Sequence, residues 1–284
     1  FCYFYYKKII NYYLMIERVN KFHPDKLADR IAGAVVDYCY SVQENPKVAV
    51  EVLVGHGLCT VIVESSVDVK SKDVLPIVHR IAGENVKLKL ISVPQDIHLA
   101  ENQENEVRCG DNGIFKGMPL TDEEMTLTEI IHKIEDKYPT DGKYILDEKT
   151  GRLIVCQSHC DSDELKKWLE YEYPEYKIIV NPLGDWTGGP GVDSGATNRK
   201  LGSDMGHAVT GGGLHGKDSS KGDCSINVYA FLEAQRTGKE QSFCCAIGDT
   251  EIDGIPYKEI VRIAKEYIDT IGGFEKFSEY GLLG

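Results

Sequence analysis

Forty-three residues from Asn181 to Asp223, NPLGDWTGGPGVDSGATNRKLGSDMGHAVTGGGLHGKDSSKGD, hold twelve of the chain's 28 glycines and set Arg199, Lys200, Lys217 and Lys221 among five aspartates. Irregular backbone of this length is uncommon inside a compact domain and marks a functional segment. Glycine lets the main chain approach an oxyanion closely and adopt positive φ, so that successive amides can face phosphate oxygens while Lys and Arg neutralise the charge. Aspartates among those cations suggest Mg²⁺ held beside the phosphates. The profile is that of a polyphosphate site, yet the chain has neither a Walker A sequence nor a strand-GxGxxG-helix fingerprint.

With 284 residues the chain has the length for one large domain or two smaller ones, and 42% hydrophobic and 27% charged residues is an ordinary globular composition. A net charge of −13 disfavours nonspecific binding to nucleic acid or to an anionic membrane, so an anionic ligand must be held by local charge and metal. Nine cysteines, odd in number and without paired CxxC spacing, fit a reducing cytoplasm better than a disulfide framework. Cys156, His159 and Cys160 lack a matching second pair and fall at the end of an alternating strand, which argues against zinc. The opening FCYFYYKKIINYYLMI is broken by Lys7, Lys8 and Asn11; too short for a spanning helix, residues 1–15 read as an extra strand or a loose extension.

Pro24 suits the first turn of a helix in which Leu27, Ile31, Val35 and Tyr38 recur at helical spacing, with His23 at its positive end. The β-rich runs 47–54 and 58–64, separated by Gly55-His56-Gly57, predict a hairpin, followed by a helix near 74–82 and a strand near 86–93. Thr121 and Glu124 form a capping box for a helix to Lys137, with Leu127, Ile130, Ile131 and Ile134 on one face. A second hairpin, 144–146 with 152–157, precedes a helix over 161–171 and a strand at 177–180. Hairpin, helix and strand thus occur twice, and a helix at 225–234, a strand at 242–247 and a helix at 256–271 suggest a third pass. The fold class is α+β, with units at 16–100 and 101–182 and a third, 183–284, joining the glycine-rich segment to a shortened unit.

Individual residues carry bland readings as well as chemical ones. His23 and Asp25 at a helix start suit an anion site, but an N-terminal Asp is also a common helix-charge partner. Glu51 and Glu64 on neighbouring strands are either on a wet face or paired inside. Cys109-Gly110-Asp111-Asn112-Gly113 is first a turn and second a ligand loop, and Lys143 after Asp141-Gly142 is ordinarily a solvated charge. Trp186 among glycines either stacks on a base or packs as the anchor of its own loop.

Taken in order, HPDK at 23–26, the Glu51 strand, GDNG at 110–113, DGK at 141–143, NPLGDWTGGPGVDSGATNRK at 181–200 and GGGLHGKDSSKGD at 211–223 resemble the motifs of the S-adenosylmethionine synthetases (methionine adenosyltransferases). The likeness runs from about Glu17 to Asp249. The chain departs from the family where Asn20-Lys21-Phe22 replaces SEG, where Val192-Asp193-Ser194 replaces GDC, around Gln95, and before Gly211, where it is about three residues short; its lid region and C-terminal part are also abbreviated.

The resemblance implies a pseudo-threefold arrangement of sheet-and-helix repeats and a reaction in which methionine sulfur attacks C5′ of ATP and the departing tripolyphosphate is then hydrolysed. It implies catalytic roles for His23, Lys143, Arg199 and Lys217, with Glu17 in the same approach to His23. ATP contacts fall on His23, Asp141, Lys143, Asp185, Trp186, Asp193, Arg199, Lys200 and Lys217, and methionine contacts on Glu64, Gln95, Asp193 and Lys221, with Asp111 lining the same cleft. Asp25 and Asp223 would hold Mg²⁺, two ions per site, and Glu51 would associate with K⁺. At least a homodimer in the cytoplasm is expected, with ATP and methionine as partners and neither nucleic acid nor membrane. A tripolyphosphatase or nucleotide hydrolase, and a non-catalytic nucleotide-binding homologue, are the competing readings.

Overall fold

The computed structural model describes residues 15–103, 106–208 and 212–284. The extension before Met15 and the shortened run at Val209, Thr210 and Gly211 lie outside the described residues. In chain order the first elements are β1 (Met15–Val19), α1 (Pro24–Val42), β2 (Val48–Gly55), β3 (Leu58–Ser65), α2 (Ser71–Ala82), β4 (Lys87–Val93) and α3 (Ile97–Asn102). Then come β5 (Gly113–Gly117), α4 (Asp122–Lys137), β6 (Gly142–Asp147), β7 (Arg152–Gln157), α5 (Ser162–Glu172) and β8 (Lys177–Val180). The remainder is β9 (Ser194–Ala196), α6 (Leu201–Met205), α7 (Gly222–Thr237), β10 (Gln241–Cys245), β11 (Glu251–Ile252), β12 (Ile255–Pro256), α8 (Tyr257–Ile271) and α9 (Phe274–Tyr280).

Local chemistry accounts for most of these boundaries. Pro24 begins α1, where its missing N–H is no loss, and the Nδ1 of His23 accepts the amide of Asp25. The capping box at α4 forms as its spacing predicts, Thr121 and Glu124 exchanging side-chain-to-backbone bonds. His56 and Gly57, both at positive φ, turn β2 back into β3 with the handedness that matches strand twist.

Both predicted repeats are present. In β2-β3-α2-β4 and in β6-β7-α5-β8 an antiparallel hairpin is followed by a helix and a parallel third strand. Each sheet gains its fourth strand from elsewhere in the chain, giving the orders β4-β3-β2-β9 and β1-β6-β7-β8. The N-terminal strand β1 therefore belongs to the second sheet, and β9, inside the glycine-rich segment, to the first. The third pass is reduced to the pair β5-β10 packed on α7, against which α8 packs in turn. Three hydrophobic cores correspond: one around α1, β2, β3 and α7, one between α4, α5 and β6-β7, and one under β5, β10 and α8. Among the described residues, no helix is long and apolar enough to cross a membrane.

Candidate active site

The glycine-rich segment is less irregular than its composition suggests. It covers the free edge of β2 at two places: Ser194 to Ala196 pair with Leu53 to Gly55, and farther along Val50 N–H donates to the Gly216 carbonyl at 2.7 Å and Asp218 N–H to Val48 O at 3.2 Å. Glycine is required at both contacts. A Cβ on Gly195 would lie 2.0 Å from the Pro24 carbonyl, and one on Gly216, which has φ of 78°, would lie 2.2 Å from Val50 O. This close stacking brings Arg199 and Lys200 to the start of α1 and Lys217 to the middle of β2.

Two groups of charges result. In the first, Asp25 is buried, accepts the Ala196 amide at 2.9 Å, and carries Lys200 Nζ at 2.6 Å and Arg199 Nη1 at 3.5 Å. His23 stands beside it. Burial, and then Lys200, push the imidazole down to about 4, so the ring is neutral at physiological pH. Because Nδ1 accepts the Asp25 amide, the proton of that neutral ring sits on Nε2. His23, Asp141, Lys143, Asp185, Trp186 and Asp193 line a single cavity of about 470 Å³. Trp186 holds its ring there by donating Nε1–H to Asn181 Oδ1 at 3.1 Å, and Lys143 pairs with Glu17 of β1 at 2.8 Å. Asp185 accepts from Ser162 at the start of α5, so its carboxylate is partly committed to that helix.

In the second group Glu51, on β2, pairs with Lys217 Nζ at 3.3 Å and accepts the Thr197 hydroxyl. The buried Asp223, in the first turn of α7, is pushed up to about 6 by burial, opposed by Lys217 and reinforced by Asp111. Glu64 lies on the same exposed face of the first sheet as Glu51 and acts electrostatically on Lys217. Lys221 is the residue preceding α7, near Asp223. Thr197 links the groups, since β9 carries Ala196 onto Asp25 and Thr197 onto Glu51. Gln95 stands apart: it lines a different cavity with Ser65, Ser66 and Asp68, and its side-chain nitrogen is buried without a partner.

Some residues on which this geometry depends carried no chemical signal in the sequence. Asn20, buried before His23, accepts the Gly142 amide at 3.2 Å and donates to Tyr144 Oη at 3.0 Å, tying the histidine loop to the DGK strand. Asn198, at positive φ, accepts the amides of Leu214 and His215 at 2.8 and 2.9 Å and so clamps the middle of the glycine-rich segment to its later part. Beneath Asp25, Lys26 Nζ lies 2.7 Å from Asp204, 3.2 Å from Asp29 and 3.5 Å from His215 Nε2, all wholly buried. Asp29, Asp204 and His215 have the spacing of a metal site, but the ammonium of Lys26 already supplies the cation.

Asp141 Oδ2 accepts the Gly189 amide at 2.7 Å, whereas Oδ1 is buried without a partner, and burial pushes the group up to about 6. An acid whose pKa is raised on folding contributes stability below its unfolded pKa, near 4, and loses it as pH rises through 6. Asp141→Asn is therefore expected to raise stability by about 2–3 kcal/mol above pH ~7 and to have little effect below pH ~4. Thermal unfolding at the two pH values checks this, and equal melting temperatures at the higher pH would refute it.

Comparison with known proteins agrees with this architecture. Residues 11–91 match the family model for the S-adenosylmethionine synthetase N-terminal domain. The S-adenosylmethionine synthase of Brachyspira hyodysenteriae is 25% identical over 296 residues, covering 80% of this chain and 74% of that protein. That of Helicobacter pylori strain Shi470 is 27% identical over 280 residues, covering 77% and 71%. Among solved structures, an unusual S-adenosylmethionine synthetase from Campylobacter jejuni superposes with a TM-score of 0.74 over 95% of this chain and 94% of that one, at 18% identity, a likeness of fold. In its N-terminal segment and along most of its length the chain is similar in sequence to the S-adenosylmethionine synthetases, and its α+β architecture is similar to theirs in fold.

Proposed function

We propose that the chain is a methionine adenosyltransferase that forms S-adenosylmethionine, phosphate and diphosphate from ATP, L-methionine and water. The observation that carries this reading is the convergence of His23, Lys143 and Trp186 on one cavity beside the Asp25-Arg199-Lys200 cluster. The indole face takes the adenine, with Asp141, Asp185 and Asp193 around the nucleoside, and Lys143, Arg199, Lys200 and Lys217 bind the triphosphate. Methionine sulfur attacks C5′ as the C5′–O bond breaks; sulfur needs no general base because it carries no proton. The neutral His23 donates Nε2–H toward the departing oxygen, and the cations stabilise charge that grows as the triphosphate leaves. Glu64, Asp193 and Lys221 hold methionine, with Gln95 joining them only if the segment after β4 moves.

The donor set around Asp223 fits Mg²⁺. Two carboxylates, Asp223 and Asp111, repel each other there, and burial alone leaves Asp223 short of compensating charge. Asp25 fits a second ion less well, because Lys200 and Arg199 already balance its carboxylate and would first have to turn to the triphosphate, whose charge Mg²⁺ would neutralise when bound. K⁺ at Glu51 fits less well, because Lys217 already balances that carboxylate. The outer face of the first sheet exposes Leu53, Ile62, Ile91 and Val93 beside Glu51 and Glu64. An exposed apolar face of this kind suits pairing with a second copy of the chain, and the proposed assembly is a homodimer.

The separation of Gln95 from the cavity favours the hydrolase as the second reading. Purified protein incubated with ATP, methionine, Mg²⁺ and K⁺ is expected to release S-adenosylmethionine and phosphate in a methionine-dependent manner. Phosphate release without methionine dependence would establish the hydrolase, and neither product would overturn both.

A further inference from the structure

One buried charge outside the cleft has no hydrogen-bond partner among the described residues. Alternation along β1 sends Glu17 to Lys143 and turns Arg18 the other way, toward α4 and α6. Arg18 is 2% exposed, and all three of its guanidinium nitrogens are buried without a hydrogen bond. Burial lowers its pKa to about 10, opposed by Glu124 and Asp204, yet neither acid reaches it to bond. A buried guanidinium with no partner is a cost to the fold and calls for a ligand or ion to explain it.

Arg18 lines a cavity of about 410 Å³ along α4. Glu124, on the same wall, has Oε1 buried without a hydrogen bond, its 3.1 Å approach to His207 Nδ1 lacking hydrogen-bond geometry. Glu129 and Asp136 add acidic charge to the wall, and Lys133 is engaged by Glu129 at 3.3 Å. With Lys133 and Glu129 set against each other, the cavity among the described residues offers one uncommitted cation, Arg18, facing two side-chain carboxylates, Glu124 and Asp136. A simple anion is repelled by the acidic wall and a simple cation by Arg18. A molecule carrying both charges satisfies both. Half-exposed Met125 also lines this cavity.

We propose that this cavity binds a small zwitterion of the α-amino acid class, its carboxylate on Arg18 and its ammonium on Glu124. The site is separate from the cleft and stands whether or not the proposed transferase activity does.

Calorimetric titration of the full chain with L-alanine, acetate and methylammonium at matched ionic strength tests it, with thermal unfolding in parallel. L-alanine is expected to bind at least about tenfold more tightly than either half-molecule and to raise the melting temperature. Arg18→Met should abolish this binding while melting no lower than the parent, because its apolar stem no longer buries an unpaired charge; loss of binding then cannot be ascribed to unfolding. Glu124→Gln keeps a capping-box residue at its position and should weaken binding at least about tenfold. The proposal is overturned if L-alanine does not bind, if acetate binds equally well, if Arg18→Met leaves alanine binding intact, or if Lys221→Ala removes it, which would place the ligand in the cleft.

Discussion

Lys217→Ala is expected to lower the rate of methionine-dependent turnover by about 100- to 1000-fold while changing ATP affinity by less than about tenfold. The asymmetry follows from where charge develops. On the proposed mechanism the triphosphate would be shared in the ground state among several cations and metal, so the loss of one contact would be partly compensated. At the transition state the bridging oxygen acquires the electron pair of the breaking bond, and a fixed ammonium is worth most there. Glu51, at 3.3 Å, holds Lys217 in place, and the lysine's pKa is raised because Asp223 and Glu51 more than offset burial. Steady-state kinetics with ATP as the varied substrate separate the two terms, and an unchanged kcat would remove Lys217 from the reacting end of the site.

Lys26→Met is expected to destabilise the fold by about 3–5 kcal/mol, because it leaves Asp29 and Asp204 buried together without their shared cation. The cluster is balanced by proximity. Burial pushes Lys26 down, but Asp204 and Asp29 raise it overall; Asp204, against burial, is held below the ordinary carboxylate range by Lys26 and His215, whereas Asp29 is raised by burial. A net stability of roughly 5–15 kcal/mol makes such a loss a large share of the total. Thermal unfolding should show a drop of roughly 10 °C, at about 2–4 °C per kcal/mol for a chain of this order of size. The deficit should shrink as pH falls and the abandoned carboxylates take up protons, a dependence that a simple packing defect would not show. A melting temperature within about 2 °C of the parent's would mean that the cluster is not holding α1 to the glycine-rich segment.

Much of this was legible along the chain. The helices α1 and α4 announced themselves through Pro24, through the Thr121-Glu124 capping box and through apolar residues at helical spacing, all interactions within a few residues of one another. The two hairpins were legible for the same reason. The strands that complete the sheets were not. β9 is three residues of Ser-Gly-Ala, whose strand conformation is imposed by the edge of β2, and β1 is short and pairs with a strand more than a hundred residues away. Neither Asn20 nor Asn198 stood out, because a buried asparagine serves by accepting distant amides and leaves no periodicity.

The residue types and their spacing by themselves determined the α+β class and the repeated hairpin-helix-strand unit, and they raised the expectation that the segment from Asn181 to Asp223 binds polyphosphate. Those properties rest on local conformation and on composition, which short stretches of chain carry. Only the tertiary structure decided how the site's charges are grouped: Arg199 and Lys200 on Asp25, Lys217 on Glu51, Trp186 facing His23, and Gln95 in a different cavity. It also decided that the Arg18 guanidinium is hydrogen-bonded to no carboxylate among the described residues, while Lys26 lies against two. Pairing and desolvation are properties of through-space distance, which depends on two glycines, Gly195 and Gly216, letting one long segment close against β2 and α1.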